Sequence, residues 1–430
     1  MNWPMHKLRS SLSQEEKFAF RLHLGYAIPD GIILGILALN EFVFIRSLKG
    51  SSYQLGLLFQ FSMVVFVALI FFYSWLNGIP DKRRLLRKTA LITRLPLALL
   101  AFFPAQMTGT SADGLWHIAF LAIFFVYYAG TPVIYPSINL FLKSAYSHSN
   151  FGQLFSVASS LNKLIMLVVT FAYGLLLDID ASAYRFVFPF VAALGVISVF
   201  FLSKIPISTA IAEKHASIAA SVKHSMQSML KVIRTNKPYL HFEIGFMMYG
   251  LAFMGSITLV PLFFDQVLHL NYSSVAFYKN AYNILAIVSL PFFGRLLGRL
   301  DPRKFAVITF FSMMGYLMFL MITEYFPQSV EFEGIRLYFT MAGYILFHSV
   351  FAATMSLLWS IGSAYFCEKE EAGLYQGVHL SLTGVRAIFA PLMGVVFYEL
   401  WGFTTAFLIA AGFLLCGIAI MVWSYKRDRG

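Results

Sequence analysis

The chain has 430 residues, of which 59% are hydrophobic, 17% aromatic and only 12% charged, with a formal net charge of +12. Soluble domains carry about 25% charged residues, so this composition excludes water as the solvent for most of the surface. In lipid only helices and closed barrels satisfy the backbone. The apolar runs here far exceed the roughly ten residues of a barrel strand, so the fold is read as an all-α polytopic membrane protein.

Residues 1–19 form a polar, mildly basic tail without the apolar core of a cleavable signal. Apolar windows of about twenty residues then place spans at 20–45, 53–77, 89–108, 115–140, 152–177 and 184–203. A polar stretch at 204–237 follows, in which Ile211, Ile218, Val222, Met226, Met229 and Ile233 recur at helical spacing among Lys214, Lys223 and Lys231. This pattern predicts an amphipathic helix on the inner leaflet as well as a tether. Six more spans fall at 239–264, 273–294, 305–324, 337–362, 373–398 and 402–424. The domain reading is therefore a tail (1–19), a six-helix bundle (20–203), a linker (204–237), a second six-helix bundle (238–424) and a tail (425–430). About twelve transmembrane helices form two pseudo-symmetric bundles.

The placement of basic residues argues against nucleic acid as a partner and gives an orientation. Of the 32 Lys and Arg, 24 lie in or at the edge of the N-terminal tail, the even-numbered loops and the C-terminal tail, whereas the odd-numbered loops hold only Arg46, Lys49, Arg185 and Arg336. Because cytoplasmic loops carry the positive excess, both termini are expected in the cytoplasm, in a plasma membrane or a bacterial inner membrane. The two cysteines, Cys367 and Cys416, offer neither a disulfide framework nor metal-ligand spacing.

The loop after the second span, GIPDKRR at 78–84, matches the loop after the eighth, GRLDPRK at 298–304. Glycine, aspartate and the final basic pair coincide, which makes the halves a repeat. On these residues the chain resembles the major facilitator superfamily over essentially its whole length. GRLLGRLDPRK at 294–304 is similar to the second-half copy of that family's loop motif, with glycine and aspartate exchanged at Gly298 and Asp301. The same exchange occurs at Gly78 and Asp81. GSSYQLG at 50–56 is similar to the family's turn into helix two, and YQGVH at 375–379, through Arg386 to APLMG at 390–394, resembles helix eleven of some bacterial members. The resemblance implies a secondary transporter working by alternating access. Asp81, Arg83, Arg84, Asp301, Arg303 and Lys304 are its gating candidates: an aspartate beside basic residues at a helix end can cap a helix N-terminus or pair across an interface. Plain positive-inside topology explains the basic members equally well.

Charges inside spans cost about 2.5–3.5 kcal/mol on insertion scales and invite a functional reading. Asp30, between Pro29 and Gly31, is the candidate proton-coupling acid, with a buried helix-to-helix pairing as the alternative. Lys163 and Arg386 lie at similar depths beyond Gly152 and Gly373. Two cations facing one cavity would suit an anionic substrate; each could instead neutralise a resident acid such as Asp30 or Glu41. Tyr128, His348 and His379 complete the candidate set, and Glu243 is read as interfacial. Residues 152–177 contain no proline and only Gly152 and Gly174, which argues against the proline-rich helix five of the family's drug antiporters.

These observations predict a non-enzymatic, monomeric, proton-coupled transporter of a small organic solute without cofactor or metal. A lipid, amphiphile or drug exporter of the same fold is the nearest alternative. A receptor or integral-membrane enzyme is the alternative of another class.

Overall fold

The computed structural model describes residues 12–79, 81–105, 107, 113–206, 218–368 and 371–428, and these are almost entirely helical. Helix α1 (Gln14–Leu37) begins at Ser13, whose hydroxyl accepts from Glu16 N while the Glu16 carboxylate accepts from Ser13 N. This capping box satisfies two otherwise orphaned donors. The short α2 (Asn40–Arg46) and α3 (Ser52–Gly78) follow. Helix α4 (Lys82–Arg94) tightens at Pro96 into a 3-10 segment, Leu95–Phe102. Next come α5 (Gly114–Ala129), α6 (Thr131–Ala145), α7 (His148–Ile179) and α8 (Tyr184–Lys204).

The second half runs through α9 (Ile218–Thr235), α10 (Lys237–Gln266), α11 (Tyr272–Leu297), α12 (Pro302–Tyr325), α13 (Met341–Ile361), a 3-10 turn at Gly362–Phe366, α14 (Ala372–Ala387) and α15 (Ala390–Arg427). Among the described residues, nine stretches are long and apolar enough to cross a membrane. The last of these, Leu374–Arg427, holds two spans. At 1.5 Å per residue the 38 residues of α15 alone would far exceed a hydrocarbon core of about 30 Å. Gly402, at φ 77°, breaks the helix where the sequence places the start of the last span.

One element is not predicted from the sequence. Strands β1 (Ser329–Phe332) and β2 (Ile335–Tyr338) form an antiparallel hairpin between α12 and α13. Its two-residue turn uses Glu333 and Gly334, both at positive φ, as a tight right-twisted hairpin requires.

Helix α9 packs one face against the second unit and leaves the other exposed. Val232 is buried and Met229 packs against Gly377 and Ser381 of α14, while Lys223, Met226, Leu230, Lys231 and Arg234 are exposed. Ile211 and Lys214 lie outside the described residues.

The chain divides into two compact units. One holds α1 and the chain from Phe71 through α8; the other holds Phe44–Ile70 and everything from α9 onward. Segment 44–70 is tied into the second unit by several polar contacts. Arg46 donates to the Leu270 carbonyl, Gln60 donates to that of Ile388, and Ser52 Oγ donates to Glu399 Oε1 at 2.5 Å.

The halves repeat at a separation of 220 residues, seen in the letters and, to within one residue, in contacts. Asp81 accepts from Arg84 N to cap α4, and Asp301 accepts from Arg303 N to cap α12. Arg83 reaches the Ile205 carbonyl just past α8, and Arg303 the Ser424 carbonyl near the end of α15. A Cβ on Gly25 would touch Phe201 at 2.9 Å, and one on Gly245 would touch Met421 at 2.6 Å. Each first helix of a half therefore packs on its sixth through the same pair of positions.

The two basic anchors are not equally strong. Arg303 is buried and bonds Asp301, Asp428 and both oxygens of Ser424, and its hydrogen bond holds the Asp428 carboxyl below the usual carboxylate range. Arg83 is exposed, with its carbonyl contact at 3.4 Å. Arg303→Ala should cost about 3 kcal/mol, the low end for breaking a buried ion pair. Arg83→Ala should stay within about 0.5 kcal/mol, as for a surface substitution. Thermal unfolding in detergent distinguishes them, and equal losses would refute the difference.

Candidate functional site

Two charges singled out from the sequence share a cavity in the first unit. Helix α1 lies against α7 because Gly31 and Gly35 present no side chain there. A Cβ on Gly31 would sit 2.6 Å from the Asn162 carbonyl oxygen, and one on Gly35 would sit 2.8 Å from that of Met166. Small residues four apart let membrane helices approach this closely. Thr170 Oγ1 fastens the seam to the Gly35 carbonyl at 3.1 Å. Pro29 removes a backbone donor from α1 one residue before Asp30.

Toward the α6 side the seam opens into a cavity of about 270 Å³, lined among others by His23, Tyr26, Asp30, Phe155, Asn162 and Lys163. Asn162 Nδ2 donates to Asp30 Oδ2 at 3.1 Å and to the Ala27 carbonyl at 2.9 Å, which fixes the carboxylate on the α7 side. Arg94, from α4, acts electrostatically on Asp30. Its guanidinium donates to the Tyr127 carbonyl at 3.0 Å and lies 3.9 Å from the Tyr127 ring centroid. Tyr128 is half-buried beside Tyr127, at a 5.4 Å ring separation. Lys163 is exposed, on the cavity wall.

The remaining candidates inside the spans lie in the second unit, in two separate settings. His379 of α14 is buried and bonds Glu243 of α10 through Nδ1, at 3.0 and 3.2 Å to the two carboxylate oxygens. The rings of Phe246 and Trp359 stand edge-on to it. Arg386, 1% exposed, donates to the Phe246 carbonyl at 2.6 Å and to Thr383 Oγ1 at 3.0 Å. Gly250 makes room for it, since a Cβ there would run into the guanidinium. Glu243 acts on it electrostatically, so Arg386 and His379 share one acid. His348 stacks between Tyr282 and Tyr316 at 3.7 and 4.4 Å.

Arg386 is therefore held by one bond to α10 and one within α14, and it is not among the residues lining the cavity that Asp30 and Lys163 share. Of the loop residues, Asp81 and Asp301 cap helices, Arg83 and Arg303 reach across to neighbouring helix ends, and Lys304 sits 4.2 Å from the Tyr425 ring centroid. Sequence reasoning missed Asn162, His23 and Arg94. Asn162 adjoins Lys163, and His23 lies two helical turns before Asp30; both were available signals.

A model of the Major Facilitator Superfamily matches residues 24–366. The chain belongs to the Major Facilitator Superfamily. Its family and fold make it a multi-pass membrane transporter, as the repeated loop motif implies. No curated protein matches the sequence significantly. Among solved structures, a variant of the nucleoside transporter NupG is similar at 14% identity and TM-score 0.68, covering 95% of this chain and 100% of the other. A bacterial homolog of the human lysosomal transporter Spinster, inward-facing and unoccupied, is similar at 10% identity and TM-score 0.64, covering 97% and 98%. The inward-open xylose transporter XylE from E. coli is similar at 12% identity and TM-score 0.57, covering 96% and 95%. At these identities the superfamily fold is what they share with this chain.

Proposed function

We propose that the protein is a proton-coupled secondary transporter that moves a small organic solute by alternating access. The observation that carries this reading is the shared cavity: Asp30 and Lys163 line it together, beside Pro29 and next to the α1–α7 seam. Asp30 is the coupling acid. Its one described hydrogen-bond donor from another helix is the neutral amide of Asn162, so it can carry or release a proton without breaking an ion pair. Lys163 supplies the positive contact for an acidic group on the solute. With Arg386 committed to helix contacts, recognition rests on one cation.

The structural relatives are described as transporters of nucleosides, xylose and organic anions. That range favours no single cargo, and the cavity's own chemistry favours an acidic solute. The loop residues Asp81, Arg83, Arg84, Asp301, Arg303 and Lys304 serve the cycle by fixing the starts of α4 and α12. The protein works as a monomer, and both termini lie in the cytoplasm, an orientation supported by its basic-residue placement.

Counterflow in proteoliposomes across a panel of labelled organic acids, nucleosides and sugars should find an exchanged solute, with the acids favoured. For that solute Asp30→Asn should abolish uphill accumulation driven by a proton gradient while preserving exchange. Accumulation equal to wild type would sink the coupling role.

A further inference from the structure

Glu16, His23 and Asp30 are spaced seven residues apart, two turns of α1 each, and so lie along one face of the helix. All three are turned toward α7 or the turn that precedes it. Glu16 is buried and accepts from Ser147 N and Oγ at 3.0 and 2.7 Å and from Asn150 Nδ2 at 3.1 Å. His23 is buried and bonds the Tyr146 hydroxyl through Nδ1 at 3.0 Å. It also lines the cavity that Asp30 lines. Tyr146 and Ser147 are consecutive, so the turn before α7 clasps the start of α1 at two successive levels. The result is a ladder of ionisable groups from the end of α1 to the cavity acid.

We infer that His23 is the proton relay between Asp30 and the N-terminal end of α1. This rests on the reading of Asp30 as the coupling acid and adds the path by which its proton arrives and leaves. The cavity has room for several waters at about 30 Å³ each, enough to connect the two side chains. When Asp30 discharges, its carboxylic O–H proton passes through cavity water to neutral His23, leaving a carboxylate and an imidazolium. The imidazolium gives up Nδ1–H to the Tyr146 oxygen as the hydroxyl proton of Tyr146 moves on to solvent at that end. Rotation of the Tyr146 hydroxyl, and return of His23 to its Nδ1–H tautomer by proton exchange with cavity water, reset the pair. One proton has moved and no other group is consumed. Loading of Asp30 runs the same steps backward.

The titratable groups around His23 are consistent with this traffic. Among the described residues they are Glu16, Tyr26 and Asp30 on α1 itself, Tyr146 from the turn before α7, and Lys163 from α7 across the cavity. Arg94 of α4 acts on the Asp30 end. His23 is buried, and its described hydrogen-bond partner is the neutral hydroxyl of Tyr146, so an imidazolium there is only transient. His23 would therefore pass a proton rather than store it.

The repeat sharpens the assignment. The position 220 residues on from His23 is Glu243, which is buried and bonded to His379, itself flanked by the rings of Phe246 and Trp359. Both halves carry an ionisable side chain at this seam, and the copy in the first half opens onto a cavity. An imidazole bonded on one side and facing a polar cavity on the other has the two-ended geometry that shuttling needs.

The test follows proton transfer directly and needs no solute. In vesicles of phosphatidylethanolamine and phosphatidylglycerol, a pH jump is followed by time-resolved infrared spectroscopy of the Asp30 carboxylic band, which is assigned by its loss in Asp30→Asn. His23→Gln should slow the rise of that band on the order of 10²-fold, the lower range for a positioned acid–base group, without moving its titration midpoint. His23→Ala should slow it equally and recover when imidazole is added. Tyr146→Phe, which keeps the ring packing, should slow it as well. A rate unaffected by His23→Gln overturns the relay alone, as does slowing in His23→Ala that imidazole does not rescue. Absence of any Asp30 band in the wild type overturns both the relay and the coupling role.

Discussion

Gly394→Ala is expected to leave little folded protein, with a loss of at least about 3 kcal/mol, while Gly412→Ala leaves stability unchanged. At Gly394, near the start of α15, the added methyl would be driven into the backbone of Gly255 in α10, where carbonyl carbon, oxygen and Cα all lie too close. No rotamer change relieves a clash with backbone, so the helices must separate. Overpacking in a tight core costs about 1–3 kcal/mol when side chains can yield, and here they cannot. In lipid the loss matters more, because van der Waals packing of close backbones replaces much of the hydrophobic drive between helices. At Gly412 an added Cβ meets nothing within 4 Å. Gly255 faces the same crossing, yet its own Cβ would rest 3.6 Å from the Ala390 carbonyl and Gly394 Cα, an ordinary contact. Gly255→Ala should therefore be mild, within about 1 kcal/mol. Fluorescence-detected size exclusion after graded heating would rank the three variants, and a Gly394→Ala midpoint equal to wild type would overturn the packing argument.

The fold was legible because lipid imposes simple demands. Twenty apolar residues must make a helix, and a repeated loop at Asp81 and Asp301 exposes the two halves. Legibility ended where structure depends on a local turn or a helix rotation. The hairpin at 329–338 was readable in principle from Val330, Phe332, Ile335 and Leu337 around Glu333–Gly334, but it lies between apolar windows that draw attention to themselves. Asp30 and Lys163 stood out because a charge in an apolar window is costly, and both line the cavity. Arg386 stood out for the same reason and is bonded within its own helix pair instead. A single sequence does not fix which way a helix is rotated, so it shows that a charge is unusual without showing what it touches. Partners with no charge, such as Asn162 and Thr383, give even less signal. The 220-residue register, carried from the loop motif along the whole half, would have paired His23 with Glu243 and marked that seam in advance.

Glu243→Ala should cost about 3–5 kcal/mol, the range for stranding one member of a buried ionic or strongly hydrogen-bonded pair. The carboxylate is 2% exposed, receives His379 Nδ1 on both oxygens, and is the acid whose charge acts on Arg386. Removing it leaves two buried groups poorly compensated at once. His379→Ala should also be costly, because Glu243 then loses the His379 bond to both its oxygens in a buried setting. The double variant Glu243→Ala/His379→Ala should cost less than the sum, since the bonded pair goes together and only Arg386 is left without its acid. Arg386 gives a further handle. If Glu243 also serves as its counter-charge, Glu243→Gln should be damaging in the wild type, by about 2 kcal/mol or more. The same change should be nearly silent on an Arg386→Met background, where no buried cation needs an anion. A thermal double-mutant cycle across Glu243, His379 and Arg386 tests both couplings, and additive losses would mean the three act independently. Coupling would show that α10 and α14 are joined by one buried polar unit, so that a change at His379 is felt at Arg386. That is a physical route by which charge in this half could bias the packing of the helices that carry it.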